Sequence, residues 1–177
     1  MTGSPRSPGP QTALSVTNGG SPVRFTLREV HHLPSSALTA LAEGLDSDPV
    51  AGLRIRMQGE GDGWILILLP LPSAYRILQR LTGTPAEPRD LTEIECSAVE
   101  EVGNIVASSF LSELGDVLGR RFFPSAPELH LDNTSRLVRD TLASLHTVGT
   151  EGLVVHALLE DPEGRIQGQL FVVPDVD

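Results

Sequence analysis

Apolar residues return at steps of three and four along Leu91–Leu118, with Val99, Val102, Val106 and Phe110 in one line. This spacing predicts a long helix that buries one side. A shorter stretch of the same kind, Ser73–Leu81, is stopped by Gly83 and Pro85 and reads as an amphipathic helix. Ser135–Leu145 predicts a further helix, and Leu27–Leu45 reads as mostly helical with Pro34 near its start. Two pairs of segments follow the strand rule instead. Val50–Gln58 and Trp64–Leu69 are β-rich runs joined by Gly59-Glu60-Gly61-Asp62-Gly63, which predicts a hairpin. Gly152–Leu159 and Arg165–Val173 predict a second one around Asp161-Pro162-Glu163-Gly164. Phe122–Pro127 and Leu129–Asp132 are short extended pieces, and Thr84–Asp90, with two prolines, is a connector.

The two hairpins resemble each other. Gly52-Leu53 and Gly152-Leu153 open them, Gly63 and Gly164 end their turns, and each runs on to a proline, Pro70 or Pro174. Glu29-Val30-His31-His32-Leu33 also aligns with Glu101-Val102-Gly103-Asn104-Ile105, at an offset of about 72 against about 100 for the hairpins. An internal duplication follows, with a first half over 25–83 and a second over 91–177, the second carrying roughly 29 extra residues. The expected fold is α+β in two layers: pseudo-twofold half-domains whose antiparallel hairpins form one sheet packed with long helices. Residues 23–177 make one domain in this reading. Residues 1–22, rich in Pro, Gly and Ser, are expected to form a disordered tail.

Composition narrows the function classes. The 177 residues carry 13 basic and 23 acidic side chains, a formal net charge of −10, and every basic residue is an arginine. Without a basic stripe, such a chain is a poor fit to a phosphate backbone, so nucleic acid is not expected as a partner. The longest apolar run, Trp64–Leu71, is too short to span a bilayer, and no secretory leader pattern opens the sequence, so a cytoplasmic protein without membrane insertion is expected. The single cysteine, Cys96, rules out an internal disulfide framework and a cysteine-cluster metal site.

The candidate chemistry lies on the long helix, with the active segment expected over 94–118. Ser97, Glu101 and Asn104 stand at i, i+4 and i+7, within a wedge of roughly 60° on the side opposite the apolar line. An acid and a carboxamide are thus presented side by side. Gly103, beside Asn104, suits close approach by another molecule or tight packing. Other signals carry less. His31 and His32 diverge by about 100° if helical, and no third ligand is spaced near them, so no metal site is expected. The Gly59–Gly63 run lacks the Lys-Ser/Thr and the following helix of a phosphate loop. Cys96 lies near the helix start but has no base near it in sequence, and reads as a structural thiol.

The wider pattern Ser97-x3-Glu101-x2-Asn104-x22-Pro127 resembles the signature of the CheC/CheX/FliY family of chemotaxis phosphatases, and Ser97–Ile105 looks like the second active-site helix of CheC. The similarity extends over roughly residues 25–177. It implies a phosphatase for the aspartyl phosphate of a CheY-type response regulator, with Asn104 orienting the attacking water and Glu101 contacting the regulator. Ser97 would be a peripheral substrate contact, and Pro127 would shape the chain after the helix. The resemblance implies no cofactor of the chain's own, since the Mg²⁺ is held by the phosphorylated regulator. It also allows a CheD-like deamidase as a partner, or a non-catalytic module like the middle domain of FliM. The first half departs from the pattern. Glu29 matches the acid, but His32 replaces the carboxamide and Phe25 the serine, so a degenerate first site is expected there.

Overall fold

The structure is a computed structural model. It describes residues 12–16, 23–34, 40, 49–83, 85, 87–144 and 153–175. In chain order these form β1 (Thr12–Val16), β2 (Val23–Pro34), β3 (Pro49–Gly59), β4 (Gly63–Pro70), α1 (Leu71–Thr82) and α2 (Glu93–Leu118). β5 (Phe122–Pro124), β6 (Glu128–Asn133), α3 (Thr134–Ala143), β7 (Leu153–Glu160) and β8 (Gln167–Pro174) follow. Every described strand joins one antiparallel sheet in the order β1-β2-β7-β8-β4-β3, with β5 and β6 pairing one after the other along the outer edge of β3.

Both expected hairpins form. Gly59, at the β3–β4 turn, has φ +118°, and an added Cβ would run into the carbonyl of Arg121, so glycine is required there twice over. The sheet is buried on both faces, as the near-continuous apolar run of β4 demands. On one face Leu53, Ile55, Ile65, Ile67, Leu170 and Val172 pack beneath α1 and α2. On the other, Val50, Leu66, Leu68, Val154, Phe171 and Val173 pack against Leu137 and Val138 of α3. The helices therefore form layers on both sides of the sheet.

Three expectations change. Residues 27–34 of the stretch expected to be mostly helical belong to the strand β2, and most of the rest of Leu27–Leu45 lies outside the described residues. The cause is local. The register of β2 against β7 slips by one residue between Arg28 and His31, a β-bulge that lengthens the alternating Val23, Phe25, Leu27 pattern to a step of three at Val30. Within the expected tail, residues 12–16 are β1, paired with Val23–Leu27; the rest of 1–22 lies outside the described residues.

The internal repeat also has a different frame. β2 of the first half pairs with β7 of the second, and β5 with β6 of the second pairs with β3 of the first. β2 is a strand and α2 a helix, so the expected helix-to-helix alignment of the halves does not hold. The ends of β2 and β6, Pro34 and Asn133, lie 99 residues apart, and the hairpin ends Pro70 and Pro174 lie 104 apart. The expected helix offset of about 72 therefore has no counterpart in the structure.

The turn between β7 and β8 is tied to α1 by a buried acid. One carboxylate oxygen of Asp161 accepts the backbone N–H groups of Arg165 and Ile166 at 2.7 and 2.8 Å, and the other accepts Arg80 at 3.0 Å. Asp161→Ala removes the acceptor of the Arg165 and Ile166 N–H groups and leaves Arg80 with Glu163 alone, at 2.8 Å. We expect it to lower stability by about 3 kcal/mol in urea unfolding, because breaking a buried charged network costs more than its net formation energy.

Candidate functional site

The site begins where α2 begins. Thr92 is its N-cap, and Thr92 with Glu95 forms a capping box: the Thr92 hydroxyl accepts the Glu95 N–H, and the Glu95 carboxylate accepts the Thr92 N–H at 2.9 Å. Glu95 is buried, and the Arg89 guanidinium donates to both of its oxygens. Tyr75 of α1 donates its hydroxyl to the Arg89 carbonyl at 2.9 Å, so the start of α2 is tied to α1. Hydrogen bonds from Arg89 and the Thr92 backbone, opposed by desolvation, bring the Glu95 carboxyl down to about 2. At its other end, α2 stops at Gly119 in the left-handed region, and the returning chain is held where the Glu60 N–H meets the Arg121 carbonyl at 2.9 Å.

Between these anchors, α2 buries Ala98, Val99, Val102, Gly103, Val106, Ala107 and Leu111. The expected apolar line is thus on the sheet side, except that Phe110 is only half-buried. On the outer side Ser97 and Glu101 are exposed, and Asn104 is half-buried one turn further on. The structure brings these three together on one helix face. Gly103 faces the sheet, so of its two possible uses the structure takes tight packing. A groove of about 330 Å³ starts at Ser108, one turn past Asn104, and continues between Ser112, Arg121 and Phe123.

Pro127 is half-buried in the link between β5 and β6. Cys96 is half-buried; desolvation and then the charges of Glu100 and Glu95 push its thiol up, which makes it a poor nucleophile. Among the described residues no group of three or more His, Cys, Asp or Glu is placed to hold a metal ion.

The expected first site is not a second copy of this arrangement. Glu29 and His32 lie on the strand β2, with Glu29 inside the bulge and His32 opposite Val155, so they do not share a helix face. Their alignment with Glu101 and Asn104 rested on the unequal offset. The positioning elements that the sequence left unread are Arg89 and Tyr75. The capping-box letters Thr92-x-x-Glu95 were a usable signal for the helix start.

Comparison with known proteins places this geometry in context. Residues 94–131, which span the site helix, β5 and most of β6, match the model of the CheC-like family. The chain is 32% identical over 134 residues to a Bacillus subtilis protein named CheY-P phosphatase CheC, covering 73% of this chain. It is 28% identical over 131 residues to a Halobacterium salinarum protein named putative CheY-P phosphatase CheC1, covering 71% of this chain. It spans about 64% of the length of each of these curated relatives. Among solved structures, FliY of Thermotoga maritima superposes with a TM-score of 0.61 at 21% identity, over 86% of this chain and 76% of FliY. A CheC-like chemotactic protein from Shewanella oneidensis superposes with a TM-score of 0.53 at 18% identity, over 84% of this chain and 83% of that one. These structures share the fold. No helix among the described residues is long and apolar enough to cross a membrane.

The anchoring of the site helix is testable without a substrate. Thr92→Ala is expected to lower stability by about 1 kcal/mol in chemical unfolding, the usual cost of a lost N-cap. The Glu95 carboxyl lies at about 2 when folded and at its ordinary 4.5 when unfolded, so the folded state favours its charged form. That contribution is complete above pH 4.5 and fades as pH falls toward 2. Unfolding midpoints measured across this range should therefore fall less steeply in Glu95→Gln than in the parent protein.

Proposed function

We propose that the chain is a CheC-like protein that hydrolyses the aspartyl phosphate of a CheY-type response regulator through the outer face of α2. The observation that carries this reading is the side-by-side display of Glu101 and Asn104 on a helix clamped at both ends. The names of the curated relatives support the choice of substrate.

The chemistry asks little of the protein. An aspartyl phosphate is a reactive acyl phosphate, and the regulator's own Mg²⁺ neutralises its oxygens. What remains is to place a water in line with phosphorus, so that the water–phosphorus bond forms as the bond to the aspartyl carboxylate breaks. The Asn104 carboxamide suits this role because its oxygen accepts from the water while its NH₂ donates nearby. Holding one water in line lowers the barrier through orientation, without a general base or a covalent intermediate. Glu101, one turn earlier and exposed, is placed for a charge-assisted hydrogen bond to a lysine at the regulator's phosphorylation site. Ser97, one turn before Glu101, makes a peripheral contact.

The test follows phosphate loss from a CheY-type regulator charged with a small acyl-phosphate donor, with and without the purified chain. Asn104→Ala should cut the accelerated rate by about 100-fold with little change in KM, the scale at which lost orientation is felt. Glu101→Ala should raise KM by about tenfold and spare kcat, the value of one charge-assisted hydrogen bond. A chain that binds the regulator without accelerating the loss would be a non-catalytic module instead, and unchanged kinetics in Asn104→Ala would remove the mechanism.

A further inference from the structure

Gly103 stands beside Asn104, and its side of α2 meets β3 instead of solvent. A Cβ built there would lie 2.6 Å from Leu53 Cδ1 and 3.3 Å from both Cδ2 and Cγ. Turning Leu53 about its Cβ–Cγ bond can bring hydrogen to where Cδ1 stands, but it leaves Cγ at 3.3 Å and drives a methyl into the filled core around it. Leu53 is fully buried. The strand behind it is held as well. On the opposite face of β3 the neighbouring residue, Gly52, lies so close to Leu137 of α3 that a Cβ there would overlap the leucine side chain. Gly103, Leu53, Gly52 and Leu137 thus form one stack through the molecule, from the site helix to the helix on the far face.

We propose that Gly103 is a positioning residue for the hydrolysis: by letting α2 rest directly on Leu53, it sets the height above the sheet at which Asn104 meets the phosphorylated partner. The inference rests on the reading of Asn104 as the water-orienting group. With β3 held from behind, a methyl at position 103 returns to ordinary contact, 3.4 Å or more, when the helix rises by about 0.8 Å. Asn104 has a short side chain and moves with its backbone. A displacement of about 1 Å in a reacting group costs up to about 100-fold in rate. Glu101 is exposed and carries one more rotatable bond, so its contact follows the partner and binding is spared. The signature of a seating change is therefore in kcat, with KM left in place.

The experiment compares Gly103→Ala, Asn104→Ala and the double variant Gly103→Ala/Leu53→Val on the phosphorylated CheY-type regulator, with thermal unfolding to verify folding. Gly103→Ala should lose about 10- to 100-fold in kcat with KM changed less than about twofold. The double variant should recover kcat to within about threefold of the parent, because valine ends at the γ carbons and removes the atom at 2.6 Å. A loss of stability alone would not be repaired by trimming the core further. A kcat lost in Asn104→Ala but kept in Gly103→Ala overturns the inference alone, and so does a folded double variant that recovers nothing. An unchanged kcat in Asn104→Ala overturns the reading of the site, and the inference with it. If Gly103→Ala does not fold, the double variant is compared with Leu53→Val: equal kcat supports the inference and a lower one overturns it.

Discussion

The pairing of β4 with β8 is the constraint on which the other elements depend. Ile65, Leu66, Ile67 and Leu68 are buried in succession, so this pair needs an apolar layer on each face. That requirement places α1 and α2 on one side and α3 on the other. The same pair joins the two halves, since β4 belongs to the first and β8 to the second. Each half then lends its outer strand to the other's hairpin, β2 to β7 and β5 with β6 to β3. Neither half has a complete sheet of its own. The site helix belongs to the second half but rests on Leu53 of the first, so the placement of Asn104 depends on both.

How much of this was legible in the sequence varies with the physical origin of each feature. The long helix was readable because its apolar steps persist over seven turns and a capping box marks its start. The hairpins were readable because their turns are chemically explicit. β2 was not, because a single bulged residue lengthens one step between its apolar positions, Leu27 to Val30, from two to three, and spacing is the signal on which helix and strand are told apart. That error spread into the repeat. A helix read over 27–45 invited alignment with α2, and the pair Glu29 and His32 gained a meaning that strand geometry removes. The acid–amide face of α2 was visible in the letters. Its supports, Arg89 against Glu95 and Tyr75 against the Arg89 carbonyl, link separate segments and appear only once the chain is folded.

The electrostatics of α2 separate structural acids from those offered to a partner. Glu95 is buried, paired and held in its charged form near the helix start, where the macrodipole also favours a negative charge. Glu101 is exposed two turns later. The net charge of −10 therefore has no single purpose: some acids close the fold and others face outward. On the proposed reading, the outer face of α2 offers an amide, Asn104, an acid, Glu101, and a serine, Ser97, but no cation to neutralise a phosphate. Such a face suits a substrate that supplies its own Mg²⁺, and on that reading the reactive centre is complete only when two proteins meet.

This division of labour explains why rigidity counts for more than added functional groups. A glycine in mid-helix costs about 1 kcal/mol relative to alanine, and α2 contains both Gly103 and Gly115. At Gly103 the cost is offset by contact with Leu53, which alanine could not make without lifting the helix. The capping box and the Arg89–Glu95 pair hold one end, the Glu60–Arg121 turn holds the other, and Leu53 supports the middle. A helix held at three points presents its outer face at one height. A reaction that depends on the position of a single water therefore gains more from this support than from another polar side chain at the site.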